Sequence, residues 1–133
     1  MADPFQFDLV SPERLLMSEQ VEQVVVPGSE GQFTVLIGHA PVMTTLRPGV
    51  LDVTRSGKNE RIFVRGGFAD VNANGLTVLA EEAIPLSELD PAKLTQQIKD
   101  AEEDVGDAKD DTARSAAALT LEHLREVEAE LGR

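Results

Sequence analysis

At Pro85 the sequence changes its hydrophobic period, and this limits the chain to two kinds of structure joined end to end. From Phe5 to about Ala83 short apolar runs stop at turn residues. Phe5, Phe7 and Leu9 alternate with Gln6 and Asp8, Val24-Val25-Val26 ends at Pro27-Gly28, and Val50-Leu51-Asp52-Val53 runs into Ser56-Gly57-Lys58-Asn59. Arg61-Ile62-Phe63-Val64 leads through Gly66-Gly67 to Phe68-Ala69-Asp70-Val71, and the hairpin dipeptide Asn74-Gly75 returns the chain as Leu76-Thr77-Val78-Leu79-Ala80. Many short strands with tight turns predict a sandwich or flattened barrel.

Beyond Pro85 the apolar residues fall on helical spacings. Asp90 stands as an N-cap and Pro91 as a first helical residue, where its missing N–H costs nothing. Leu94, Ile98, Ala101, Val105 and Ala108 make one stripe, and Ala113, Ala117, Leu121, Leu124, Val127 and Leu131 a second. Gly106 to Asp111 is turn-like, and Gly132 follows the second stripe, so the stripes should face each other in an antiparallel hairpin. Such a hairpin is marginal alone and needs the sandwich or a partner. The predicted fold class is α+β in two segments: an antiparallel β-sandwich over 1–86 and an antiparallel α-helical hairpin over 87–133.

The most individual stretch runs from Gly28 to Gly49. Glycines at 28, 31, 38 and 49, with Pro41 and Pro48, predict two tight corners flanking a short strand. The corners should present Glu30, Gln32 and His39 at a surface.

A chain of 133 residues is large enough for one core and hides roughly two thirds of its unfolded surface. With no Cys, it forms no disulfide and has no thiolate chemistry. Met1-Ala2-Asp3-Pro4 has neither the basic nor the apolar region of a signal peptide, and no apolar run reaches the length of a membrane span, so a cytoplasmic location is expected. A net charge of −12 argues against nucleic acid, whose binding draws on clustered Lys and Arg, and against anionic lipid. Much of that charge lies between Ser87 and Asp111, where Glu88, Asp90, Asp100, Glu102, Glu103, Asp104, Asp107, Asp110 and Asp111 outnumber Lys93, Lys99 and Lys109.

Catalysis finds little to work with. His39 and His123 are the only histidines, and no phosphate-cradling glycine loop precedes a helix. Glu81 and Glu82 are adjacent on a strand and point to opposite faces. Asp110-Asp111 and Glu102-Glu103-Asp104 lack the spacing and central Gly of a calcium loop. No enzyme activity, metal or cofactor is expected.

Gly28-Ser29-Glu30-Gly31, Gly38-His39-Ala40-Pro41, Pro48-Gly49 and Gly66-Gly67, in this order after Phe7-Asp8-Leu9-Val10-Ser11-Pro12-Glu13, resemble the epsilon subunit of the F-type ATP synthase over essentially the whole chain. The resemblance implies a non-catalytic part of the central stalk. In that family the sandwich grips the gamma subunit and its rim touches the ring of c subunits, so that proton-driven rotation reaches the catalytic head. It places Glu30, Gln32 and His39 toward the c ring. Ser11 and the segment Ala40, Pro41, Val42 and Met43, continuing to Thr45, fall to gamma. It also implies a peripheral position on the cytoplasmic face of the inner membrane, touching the membrane only indirectly, with the hairpin able to reach the alpha/beta head.

Some relatives bind ATP at a motif of Ile or Leu, Asp, two free positions, Arg and Ala. Here the text is Leu89-Asp90-Pro91-Ala92-Lys93-Leu94, so Asp90 and Lys93 are the residues at stake. Lysine lacks the planar fork that arginine offers a phosphate, and Asp90-Pro91 is explained by capping, so no ATP site is expected. In relatives that inhibit hydrolysis the raised hairpin meets an acidic loop of the beta subunits. From Thr112 onward Arg114, Arg125 and Arg133 stand against Glu122, Glu126, Glu128 and Glu130, which predicts weak or absent inhibition. The rival from the residues alone is a free acidic adaptor whose hairpin, with Asp104, Asp107, Asp110 and Asp111 near its turn, inserts into a larger machine.

Overall fold

A computed structural model describes residues 3–131, so the first two residues, Gly132 and Arg133 lie outside the described residues. The chain divides into two compact units, Met1–Ser87 and Glu88–Arg133.

The first unit is built of eight strands: β1 (Phe5–Val10), β2 (Leu15–Val21), β3 (Gln23–Gly28), β4 (Gly31–Val35), β5 (Val42–Thr45), β6 (Gly49–Arg55), β7 (Lys58–Asn72) and β8 (Gly75–Pro85). Their order is β2-β1-β8-β7-β6-β3-β4, with β5 also paired to β7. Strand β7 pairs with β6 from Lys58 to Val64 and with β5 from Phe68 to Val71, while β8 runs beside it from Ile62 to Asn72. The long pair therefore serves two layers, β5-β7-β8-β1-β2 and β8-β7-β6-β3-β4.

The passage between layers is made at Gly66-Gly67, where the β7–β8 register skips one residue on each strand. Gly67 has φ +94°, and a Cβ there would collide with the Leu79 carbonyl oxygen, so no other residue fits. Alternation then sorts the side chains. In β1 the odd residues Phe5, Phe7 and Leu9 are buried, and in β8 the even residues Leu76, Val78 and Ala80. They meet Val24, Val26, Leu51, Val53, Ile62 and Val64 from the other layer in one core.

Most pairs are antiparallel, as expected, but β1 and β8 run parallel, Phe7 facing Leu76 and Val10 facing Leu79. The β7–β8 turn is Ala73-Asn74, one residue earlier than the Asn-Gly dipeptide suggests, with Asn72 opposite Gly75. The Asn74 N–H is held by the Asn72 carboxamide oxygen at 2.8 Å. Gly75 follows at φ +133°, against the Gln6 carbonyl.

In the second unit a 3-10 turn (Leu86–Glu88) leads to α1 (Pro91–Asp107) and α2 (Asp111–Leu131), packed as an antiparallel pair. The Asp90 carboxylate accepts from the Ala92 N–H at 2.9 Å, and Asp110 caps α2 through the Ala113 N–H at 2.7 Å. Gly106 lies inside the last turn of α1, so the connection is shorter than its composition suggests. Each predicted stripe is buried only in part: Leu94, Ile98 and Ala101 of the five on α1, and Leu124 and Val127 of the six on α2, where His123 is buried beside them. From Glu102 to Glu122 no residue is buried, because the apolar positions there are mainly alanines with little surface to hide.

Gly67→Ala should lower stability by about 2 kcal/mol or more, since both φ and the Leu79 carbonyl oppose it. Gly57→Ala, also at positive φ but with open space around it, should cost about 1 kcal/mol. Thermal melts of the two variants check the difference.

Candidate functional site

The first corner is a two-residue loop: Gly28 pairs with Gly31, leaving Ser29 and Glu30 at the tip. It is tied to the β5–β6 segment by the Ser29 N–H to the Thr45 carbonyl at 2.9 Å, the Ser29 and Thr45 hydroxyls 2.6 Å apart, and the Arg47 N–H to the Pro27 carbonyl at 3.0 Å. These bonds fix the backbone while Glu30 and Gln32 remain exposed.

The second corner, Leu36 to His39, is closed by the His39 N–H to the Leu36 carbonyl at 3.1 Å. The His39 ring is half-buried and tilted against Phe33, with centroids 5.9 Å apart. Its Nδ1 lies 2.7 Å from the Ala40 carbonyl oxygen. A carbonyl only accepts, so this contact assigns a proton to Nδ1. His39 thus packs its own turn onto β4, the edge strand that carries Gln32. Leu36 and Ile37 beside it are exposed.

Ser11 and Met43 come to opposite edges of one layer. Ser11 ends β1 in a turn whose N–H groups bond reciprocally with Arg14, at 2.9 and 3.2 Å. Ala40 and Pro41 are exposed in the loop before β5, where Val42 and Met43 are 39% and 65% exposed. Strands β8 and β7 separate β1 from β5, a distance of about 14 Å at ordinary strand spacing. The sequence did not single out what lies between them, the outward residues Val10, Leu79 and Phe68. Only knowledge of strand order makes them neighbours.

Asp90 is engaged in capping, and Leu94 is buried at 1% exposure, while Lys93 points to a water-exposed position. The position where the ATP motif carries a small Ala is thus filled by a leucine of the hairpin core. Among the described residues no three His, Asp or Glu side chains gather as a metal site.

Residues 4–86 match the family model for the ATP synthase, Delta/Epsilon chain, beta-sandwich domain, and residues 90–123 match that for the C-terminal domain of the ATP synthase epsilon subunit. The chain belongs to the ATP synthase epsilon family. The ATP synthase epsilon chain of Parvibaculum lavamentivorans is 56% identical over 128 residues, 96% of this chain and 97% of that one. The epsilon chain of Mesorhizobium japonicum is 56% identical over 129 residues, covering 96% of each. A chain in the structure of the Euglena gracilis mitochondrial ATP synthase, OSCP/F1/c-ring, superposes with a TM-score of 0.77 at 30% identity, covering 98% of this chain and 83% of that one. A chain of the Tetrahymena thermophila central stalk and c-ring shares the fold, with a TM-score of 0.65 at 13% identity, over 96% of this chain and 98% of that one. As an epsilon-family member, the protein is a non-catalytic subunit of the ATP synthase.

Asp90→Ala should cost about 1 kcal/mol through the lost cap. Faster proteolysis within residues 88–131, with the sandwich core unchanged, would show that cost to be local.

Proposed function

We propose that this chain is the central-stalk subunit that couples rotation of gamma and the c ring to ATP synthesis, and that its hairpin restrains ATP hydrolysis weakly or not at all. The observation that carries the first part is a family match covering both units, with a related chain standing in an F1/c-ring assembly. In this proposal residues 1–86 attach the subunit: Glu30, Gln32 and His39 face the c ring, and Ser11, Ala40, Pro41, Val42 and Met43 face gamma. The fixed backbone of the two corners supports it, since a rotor contact must transmit torque without yielding. The subunit would lie peripherally, on the cytoplasmic face of the inner membrane. No helix among the described residues is long and apolar enough to cross it.

Weak restraint follows from charge. Neither helix carries a basic residue in its last turn, where cations would suit the dipole. Asp104 and Asp107 stand there on α1, and Glu128 and Glu130 on α2. Two of the hairpin's cations are already paired with its own acids, Arg114 with Asp111 and Arg125 with Glu102, each at 3.1 Å. An acidic hairpin entering an acidic loop of the catalytic head is opposed by like charge.

Hydrolysis by the purified complex, measured before and after removal of residues 87–133, should change by less than about twofold. A severalfold rise would overturn the proposal. Titration with labelled ATP from micromolar to millimolar should show no saturable binding, because Asp90 and Leu94 are committed to the helix and its core.

A further inference from the structure

Asn74, in the β7–β8 turn, differs from the other two asparagines of the chain in the features that govern chemical stability. Asn59 is followed by Glu60, and its carboxamide nitrogen donates to Asp52 at 2.8 Å. Asn72 is followed by Ala73, and its carboxamide oxygen accepts the Asn74 N–H at 2.8 Å. Asn74 is exposed, its own carboxamide makes no hydrogen bond among the described residues, and Gly75 follows it.

A glycine has no Cβ to obstruct approach to its amide nitrogen, and its backbone reaches conformations closed to other residues. Gly75 already holds one of these, at φ +133°. The turn is also where the ladder gives way most easily. Asn72 opposite Gly75 is the last rung of the β7–β8 pairing, so freeing the Gly75 amide opens that rung alone and leaves Val71 opposite Leu76 in place.

We infer that Asn74 is a site of spontaneous deamidation in the folded protein, passing through a cyclic imide with Gly75 and ending mainly as isoaspartate. The deprotonated Gly75 amide nitrogen bonds to Asn74 Cγ as the Cγ–Nδ2 bond breaks, and the proton it gave up leaves with Nδ2 as ammonia. Water then opens the imide. Breaking the bond to Cγ gives aspartate, and breaking the bond to the Asn74 backbone carbonyl carbon gives isoaspartate, whose main chain is longer by a methylene. Either product carries a carboxylate where the chain had a neutral amide.

The longer product does not fit the fold. Gly75 packs so closely on Gln6 that a Cβ would collide with the Gln6 carbonyl oxygen, and the parallel β1–β8 pairing begins at the next residue, Leu76 opposite Phe7. The same turn lines a cavity of about 200 Å³ together with Phe5, Gln6, Val35 and His39. An added methylene therefore pushes Gly75 off β1 and loosens the end of the sandwich that holds the His39 corner.

The test incubates the full chain at mildly alkaline pH and maps its peptides by mass. Asn74 should gain about 1 Da as amide becomes acid, at least about fivefold faster than Asn59 or Asn72. An isoaspartyl methyltransferase should label the same peptide, and Asn74→Gln should abolish both signals. The isoaspartate form, separated chromatographically, should melt about 4 °C or more below wild type. Asn74→Asp, which adds the charge without the methylene, should melt within about 2 °C of wild type. An Asn74 that gains no mass while the chain is folded, or gains it no faster than Asn59 and Asn72, would overturn the site. An isoaspartate form that melts together with Asn74→Asp would overturn its effect on β1.

Discussion

Everything in the first unit depends on the antiparallel pairing of β7 with β8. These are the longest strands, and they alone belong to both layers, so the sandwich is one folded ribbon with strands added to its edges. The bend at Gly66-Gly67 sets the angle between layers, because the Gly67 backbone packs directly on the Leu79 carbonyl with no room for a side chain. Once the ribbon is bent, β6 and β3 complete one wall, β1 and β2 the other, and the inward residues of both meet in a single core. The same alternation that fills the core sends Phe68 and Leu79 outward.

The second unit is built on different terms. Its caps are well formed and its buried residues are concentrated in Leu94, Ile98, Ala101, His123, Leu124 and Val127, while the tip is alanine-rich and acidic. The Arg125–Glu102 pair that bridges the two helices is half exposed, and pairs of that kind contribute about 0.2 to 1 kcal/mol. The tip half is consequently the less stable half, with few apolar contacts to resist local opening.

The sequence made element type and order legible wherever period and punctuation agreed. The break at Pro85, the Asp90-Pro91 helix start and the two corners around β4 were all readable from local chemistry, since turns and caps are set by neighbouring residues. The parallel β1–β8 pair was not, because nothing local marks which distant strand lies alongside. The buried His123 escaped as well, standing next to a stripe that was read from apolar residues alone. At the site, Glu30, Gln32 and His39 were legible as corner residues. That Val10, Leu79 and Phe68 are neighbours was invisible for a simple reason: they lie on three strands scattered along the chain, and only the assembled register aligns them.

The parallel pairing of β1 with β8 has a consequence for the order in which this protein matures. Strand β1 cannot find this neighbour until β8 has been made, some seventy residues later, so β1 and β2 wait as an unsupported hairpin. Leu76, Val78 and Ala80, the share of the core that β8 supplies, arrive only with that strand. An incomplete molecule therefore leaves Phe5, Phe7 and Leu9 without the β8 residues that pack beside them in the core.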